Sequence, residues 1–310
     1  MRVLIVGAGA TGGFFGALLT QAGRDVTFLV RERRAEQLRQ QGLRVVTPSK
    51  EMHFDPKLVT SDQIVGTYDV ILLAVKAYSL DFALADMANA VGPNTVILPL
   101  LNGIKHIEQI KDRFGADHLL GCVCKLATNL NDQGTIIQQG TFCDVYYGEL
   151  DGKVSERLLR VHNLLSGAGF KAETSSTIRR LLWEKWVLLA AMGCINCLMR
   201  GSIGDVVAVK GGLQFANNVI DEVLKIVRTV GEEPSAEFVA SARQTLTLAD
   251  SAQTSSMFRD LLAGRQLESE QIIGDLLTRA ANFKIESPLL TLAYANLKVN
   301  ERQLKLQKDR

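Results

Sequence analysis

Gly7-Ala8-Gly9-Ala10-Thr11-Gly12 follows the apolar run Val3 to Val6 and opens into the small-residue stretch Gly13 to Ala22. Few local structures satisfy both neighbours. Four consecutive aliphatic residues read as a parallel strand buried on both faces, and the glycines then turn the chain sharply into a helix. Gly7 permits the turn, Gly9 lets backbone approach a phosphate, and Gly12 lets helix pack on strand. The first amides of that helix, from Ala10 and Thr11 onward, point at a pyrophosphate. A second strand, Asp25 to Val30, follows Gly23, and Arg31 stands at its end, nineteen residues after Gly12. An acidic residue there accepts hydrogen bonds from a free ribose 2'-hydroxyl, whereas arginine cannot accept and matches a phosphate. The expected ligand is therefore NADP(H) rather than NAD(H). A tight turn that binds nothing has the same glycines, and the flanking strand, the helix and the terminal arginine argue against it.

The same opening resembles a secretion signal, because Arg2 precedes an apolar stretch from Val3 to Leu19. Gly7, Gly9, Gly12, Gly13 and Gly16 interrupt it and make a poor signal helix, so a cytoplasmic location is expected. The 310 residues imply two domains, and 47% hydrophobic with 22% charged residues fits a soluble globular chain. Lys plus Arg total 35 against 33 Asp plus Glu, and a formal charge of +2 implies neither nucleic acid nor an anionic membrane as partner. No uninterrupted apolar run reaches the ~18 residues of a membrane span. Cys122, Cys124, Cys143, Cys194 and Cys197 are odd in number and read as thiols. Cys194-Ile195-Asn196-Cys197 has the spacing of a redox or zinc pair, but no second pair or nearby histidine completes a metal site. Buried thiols on a helix are expected instead.

Along the chain, Glu32 to Gln41, Leu80 to Val91 and Ile104 to Phe114 read as helices between strands at Leu43 to Val46, Tyr68 to Val75 and Thr95 to Leu98. Strands and helices alternating at this rhythm predict an α/β, doubly wound, Rossmann-type sheet. Its ligands sit beyond the carboxyl ends of the strands, where Arg31, Lys76 and Asn102 fall. Short extended runs from Cys122 to Asn129, Thr135 to Gln138 and Cys143 to Tyr147 predict an antiparallel meander, with a helix at Val154 to Ser166 and a strand at Phe170 to Glu173. Beyond Ser175 nearly everything has helical period. The expected organisation is an NADP(H)-binding domain over 1–175 and an all-helical substrate or dimerisation domain over 176–310, with the active site in the cleft between them.

In the apolar helix Ile178 to Met199, Glu184 and Lys185 sit between Trp183 and Trp186. A snorkelling lysine would pack its stem on tryptophan and keep its ammonium wet. A lysine held in a cleft can instead donate a proton to a carbonyl oxygen as hydride arrives at carbon. No His-Asp pair of the kind many dehydrogenases use is apparent, and His53, His106, His118 and His162 all fall in the first domain, where packing or surface roles are expected.

These residues, together with Val75-Lys76, Leu101-Asn102-Gly103, Leu182-Trp183-Glu184-Lys185, Ser255-Ser256-Met257, Asp260, Arg265, Glu268 and Ser287-Pro288, fall in an order and spacing similar to the ketopantoate reductase (2-dehydropantoate 2-reductase) family. The resemblance spans nearly the whole chain. It is most specific in the Leu-Trp-x-Lys helix combined with Ser-Ser-Met and a glutamate twelve residues after Ser256. It implies NADPH-dependent reduction of a 2-oxo acid, with ketopantoate reduced to pantoate as in pantothenate biosynthesis. Lys185 is then the general acid, and Glu268 orients or binds at the cofactor ribose and substrate. Ser256 resembles the residue that helps hold the substrate, and Asn102 the one linking cofactor to Lys185 and substrate. Lys76 and the backbone near Ala127 look like further cofactor contacts. A homodimer through the helical domain fits the same family.

The family pattern fails at three positions. Close members carry asparagines four and eight residues after the lysine and another before a Gly-acidic pair, where this chain has Leu189, Gly193 and Ile203. Removing amides that would bond a substrate hydroxyl relaxes selectivity, and Gly193 is expected to enlarge the pocket. Asn196 returns to the lysine face within ~20° but lies roughly 16 Å along the helix, a poor replacement. Two further functions stay open: a paralogue reducing a more apolar 2-oxo acid, and a non-catalytic NADP(H)-sensing protein.

Overall fold

The computed structural model describes residues 1–308. The described residues divide into two compact units, Met1–Leu101 with His106–Ile178, and Asn102–Lys105 with 179–308.

In the first unit, β1 (Arg2–Val6), α1 (Ala10–Gln21), β2 (Asp25–Leu29) and α2 (Glu32–Gln41) follow in sequence, as the glycine motif predicts. β3 (Leu43–Val46), β4 (Glu51–Phe54), β5 (Leu58–Val59), β6 (Tyr68–Leu73), α3 (Leu80–Asp86), β7 (Val91–Pro99) and α4 (Lys105–Phe114) come next. The first sheet has the order β5-β2-β1-β6-β7, with every pairing parallel. Val3, Leu4 and Ile5 at its centre have no exposed surface, which is why that strand is purely aliphatic. Chain order reverses between β1 and β6, the switch point at which such sheets bind ligands.

A second, mixed sheet contains β8 (Gly121–Leu130), β9 (Ile136–Gly148) and β10 (Lys171–Thr174), with α5 (Glu156–Leu165) before its last strand. Its order is β10-β9-β3-β4, with β8 antiparallel to β9. The sequence suggests a meander of three short runs, whereas the structure has one hairpin of two long strands. β9 runs through Gly140 because its two halves have different parallel partners, β3 at Ile136 and Ile137 and β10 from Asp144 to Tyr147. The hairpin turn is held by Asn131, whose side-chain oxygen accepts from the amides of Gln133 and Thr135 at 3.1 and 2.9 Å. α1 lies between the sheets: a Cβ on Gly16 would meet the Phe28 ring at 2.4 Å and one on Gly13 the Ile136 side chain at 2.3 Å. The small-residue stretch thus exists so that one helix can touch two sheets.

The second unit is helical: α6 (Ile178–Met199), α7 (Ile203–Ala208), α8 (Gly212–Val230), α9 (Ala236–Leu246), α10 (Ser256–Leu262), α11 (Asp275–Asn282) and α12 (Pro288–Lys308). A π turn at Glu270–Gly274 precedes α11. Trp186, Val187, Ala190 and Cys194 of α6 pack in one core with Val219, Val223 and Ile226 of α8. α6 is long and apolar enough to cross a membrane by length and composition, but two-thirds of its most apolar 18-residue stretch is buried within the protein. Pro288 starts α12, and the Glu222 carboxylate accepts from the amides of Leu289 and Leu290 at 3.2 and 2.8 Å, serving as a cap donated by another helix. The thiols of Cys194 and Cys197 are buried, and burial pushes Cys197 up to about 12. Neither has the thiolate character that redox chemistry of the Cys-x-x-Cys spacing would need.

Candidate active site

At the switch point the glycine loop is shaped by backbone approach. Gly7 has φ +97° and its amide donates to the Leu29 carbonyl at 3.1 Å. A Cβ on Gly12 would stand 2.1 Å from the Gly7 carbonyl oxygen, so only glycine lets α1 close on β1. Gly9, the residue capping α1, is different: a Cβ there would meet nothing within 4 Å. Its smallness is not required by protein packing, and it leaves open the space a phosphate would enter. No acidic residue and no side-chain cap stands at the first turn of α1. Ala8, Ala10 and Thr11 complete this turn, with Ala8 buried and the other two half-buried.

Arg31 caps α2 and lines a cavity of about 430 Å³ with Val30, Thr60, Ser61 and Phe82, and with Glu32, Asp62 and Asp86. Its guanidinium lies over the Phe82 ring, 5.7 Å from the centroid. Two of the carboxylates have partners: Glu32 pairs with Arg39 at 2.7 Å and Asp62 accepts from the Thr60 hydroxyl at 2.5 Å. Arg31 is the cation among the lining residues. Lys76 follows β6, the neighbour of β1, and is exposed. Ala127 lies where the β8 ladder shifts register, between Leu126 paired to Cys143 and Thr128 paired to Gln138. Such bulges turn backbone groups away from the ladder. A groove with an uncapped helix start, an open Gly9 and a terminal arginine fits a dinucleotide.

Sequence reasoning missed Arg34. Its Nε donates to the Ala8 carbonyl at 3.1 Å, and its two other nitrogens reach Gln37 at 2.6 Å and the Gly134 carbonyl at 3.5 Å. It ties the glycine loop to the β8–β9 turn. On a charged helix such an arginine looks like surface, and no local signal separates it from Arg33.

In the helical unit, four chain segments that carry the other expected residues are tied together. Asn102-Gly103 approaches the π turn so closely that a Cβ on Gly103 (φ +75°) would stand 2.8 Å from the Gln271 carbonyl oxygen. Glu268 is 6% exposed and lies just before that turn. Trp186, adjacent to Lys185, donates its indole N–H to the Ile272 carbonyl at 2.9 Å. Lys185 itself is half-buried; Trp183 and Trp186, which flank it in sequence, stack on each other with centroids 5.2 Å apart. Of the two polar residues in this stretch, Glu184 is the buried one, and its role is structural. Its carboxylate accepts from the Ser235 amide at 2.9 Å, with Arg180 3.8 Å away. Ser256 is the half-buried first residue of α10, and Ser255 caps that helix by accepting from the Phe258 amide at 3.1 Å.

The enlargement expected at Gly193 does not occur. The Met257 methyl stands 2.7 Å from where a Cβ on Gly193 would be, so the space is filled by a thioether. Ile203 is fully buried in the helical core and Leu189 packs partly against it. Asn196 is also fully buried and is bonded elsewhere, to Gly201 and Ser255. The histidines are engaged in packing and structure: His118 bonds the Thr95 carbonyl at 2.9 Å and His162 the Tyr147 hydroxyl at 2.9 Å.

The chain is similar to known proteins over nearly its whole length. An uncharacterized oxidoreductase, YkpB, of Bacillus subtilis is 32% identical over 301 residues, covering 97% of this chain and 99% of that one. A 2-dehydropantoate 2-reductase of Archaeoglobus fulgidus is 32% identical over 285 residues, 92% of each chain. The solved ternary structure of D-mandelate dehydrogenase with NADH and anilino(oxo)acetate shares the fold with a TM-score of 0.87 at 21% identity, covering 98% of this chain and 100% of that one. The model of ketopantoate reductase PanE/ApbA matches residues 3–152 and that of its C-terminal part residues 177–301. This chain therefore belongs to the ketopantoate reductase PanE/ApbA family, pyridine-nucleotide-dependent oxidoreductases that act on CH–OH groups.

Proposed function

We propose that this protein reduces a 2-oxo acid with NADPH, and that 2-dehydropantoate, reduced to pantoate for pantothenate biosynthesis, is its first candidate substrate. The observation that carries this is the tying of the Lys185 helix to the segment after Glu268 through the Trp186–Ile272 bond, with Asn102-Gly103 packed on the same turn. Three stretches of chain far apart in sequence meet at one turn, and the helix that bears Lys185 reaches that turn through its neighbour Trp186. Bound nicotinamide supplies a hydride to the substrate's carbonyl carbon. The Lys185 ammonium donates a proton to the carbonyl oxygen and offsets the negative charge that develops there. The Ser256 hydroxyl donates to the substrate carboxylate, the Asn102 amide both donates and accepts, and Glu268 accepts from hydroxyl groups. Arg31 offers a bidentate partner to a 2'-phosphate, which supports NADPH over NADH.

Met257 in the space beside Gly193 and half-buried Leu189, with Ile203 withdrawn into the helical core, favour a second reading: a 2-oxo acid whose distal part is apolar. A wall without amides gains nothing from a substrate hydroxyl and strips its water. Steady-state rates on a panel of 2-oxo acids, followed by NADPH absorbance, test both. By far the highest kcat/KM for 2-dehydropantoate would overturn the apolar reading, and preference for a branched or aromatic 2-oxo acid would overturn the first. Lys185→Ala should retain NADPH binding and lose about a hundredfold or more of kcat, the lower range for removing a general acid. No turnover by the unmodified protein on any member of the panel, with NADPH binding intact, would leave a nucleotide sensor instead.

A further inference from the structure

We infer that Asn196 is a positioning residue for Ser256, an inference that rests on Ser256 being a substrate contact. Asn196 is fully buried, three residues before the end of α6, and its carboxamide is used at both ends. Nδ2 donates to the Gly201 carbonyl at 2.9 Å, and Oδ1 accepts from the Ser255 amide at 2.8 Å. Ser255 in turn caps α10 by accepting from the Phe258 amide. Its amide and hydroxyl are therefore both held, and the residue whose direction they set is the next one, Ser256.

The strap leading into α10 is fastened to α7 by backbone alone, through Ile203 donating to Gln253 at 3.0 Å and Gly204 to Ser251 at 2.8 Å. Neither bond reaches the last residue before the helix. Asn196 supplies that last attachment and makes it from the helix that bears Lys185. Aspartate could accept there but not donate to Gly201, and leucine could do neither, leaving the buried Ser255 amide and the part-buried Gly201 carbonyl unpartnered. A purely structural role, closing the end of α6 where Arg200 takes φ +57°, predicts lost stability with no particular effect on substrate. Positioning predicts a loss that vanishes when the Ser256 hydroxyl is already gone.

A double-mutant cycle of Asn196→Ala and Ser256→Ala, read as KM and kcat for the best 2-oxo acid of the panel and as NADPH Kd, separates the two. Each single change is expected to raise KM about tenfold, the equivalent of one neutral hydrogen bond, with NADPH Kd unchanged. The double variant should be no worse than Ser256→Ala. A KM increase that multiplies to roughly a hundredfold, or no increase in Asn196→Ala, would overturn the inference while leaving Ser256 in place. Unchanged KM in Ser256→Ala would overturn the role of Ser256 itself, and the inference with it. Should Asn196→Ala not fold, Asn196→Asp keeps the acceptor for Ser255: KM within about twofold of the original supports positioning, and a rise matching Ser256→Ala overturns it.

Discussion

Alanine at Gly12 and alanine at Gly9 add the same methyl group to one loop, with opposite expected consequences. A Cβ on Gly12 would stand 2.1 Å from the Gly7 carbonyl oxygen and 2.9 Å from the Ala74 Cβ. An ordinary carbon–oxygen contact is ~3.3 Å, so loop and helix must part by about 1.2 Å. Neither obstacle is a side chain that can rotate away. Overpacking costs typically ~1–3 kcal/mol, and a backbone obstacle puts Gly12→Ala at the upper end or beyond. At about 2–4 °C per kcal/mol for a unit of this size, Tm without nucleotide should fall by roughly 6–12 °C. At Gly9 nothing lies within 4 Å and the backbone (φ −86°, ψ −164°) is open to alanine. Folding loses nothing there, and reduced freedom of the unfolded chain adds up to about 1 kcal/mol. The methyl nevertheless occupies the space a pyrophosphate needs, so NADPH affinity should fall about tenfold or more, ~1.4 kcal/mol. Thermal scans without nucleotide and fluorescence titration with NADPH read the two effects separately. Wild-type affinity in Gly9→Ala would remove Gly9 from the phosphate cradle, and an unchanged Tm in Gly12→Ala would refute the close approach of α1 to β1.

Two arginines at the start of α2, Arg31 at its N-cap and Arg34 in its first turn, should differ in kind. Arg31→Ala is expected to weaken NADPH by ~1.5–3 kcal/mol and leave NADH nearly untouched, whereas Arg34→Met, by freeing the Ala8 carbonyl, should weaken both nucleotides alike. Titrating each variant with both nucleotides checks this, and equal losses in Arg31→Ala would refute the phosphate role. Burial alone would push Glu149 up, but two bonds from Arg157 and one from Ser155 hold its carboxyl below the ordinary 4.5. The folded state then binds this proton more weakly than the unfolded chain, so the stabilisation is present above the unfolded value and lost as pH falls through the folded one. Glu149→Gln should lower Tm near neutral pH, with a difference that shrinks on acidification below 4.5; a constant difference to about pH 3 would exclude the linkage.

The first sheet was legible because its strands are buried on both faces and therefore written as unbroken aliphatic runs, such as Val3 to Val6. The second sheet was not. Its β9 serves two sets of neighbours along one strand, and half-buried strands such as Ile136–Gly148 leave an irregular pattern that Gly140 interrupts. The sequence pattern also anticipated the turn at Gly7, where backbone meets backbone; the same requirement at Gly103 shows only in the structure.

By itself, the sequence determined that a dinucleotide loop, an arginine after β2, and a lysine between two tryptophans on an apolar helix would be present. Each of these is a local requirement, of turn geometry, charge or helical period. Only tertiary structure decided which polar residue near that lysine is structural, because Glu184 is spent on Ser235, fifty-one residues away. Only tertiary structure filled the gap at Gly193 with Met257, and turned Asn196 from a poor substitute for a missing amide into the anchor of Ser255. Such roles depend on which distant segment meets a side chain, and no periodicity along the chain records that meeting.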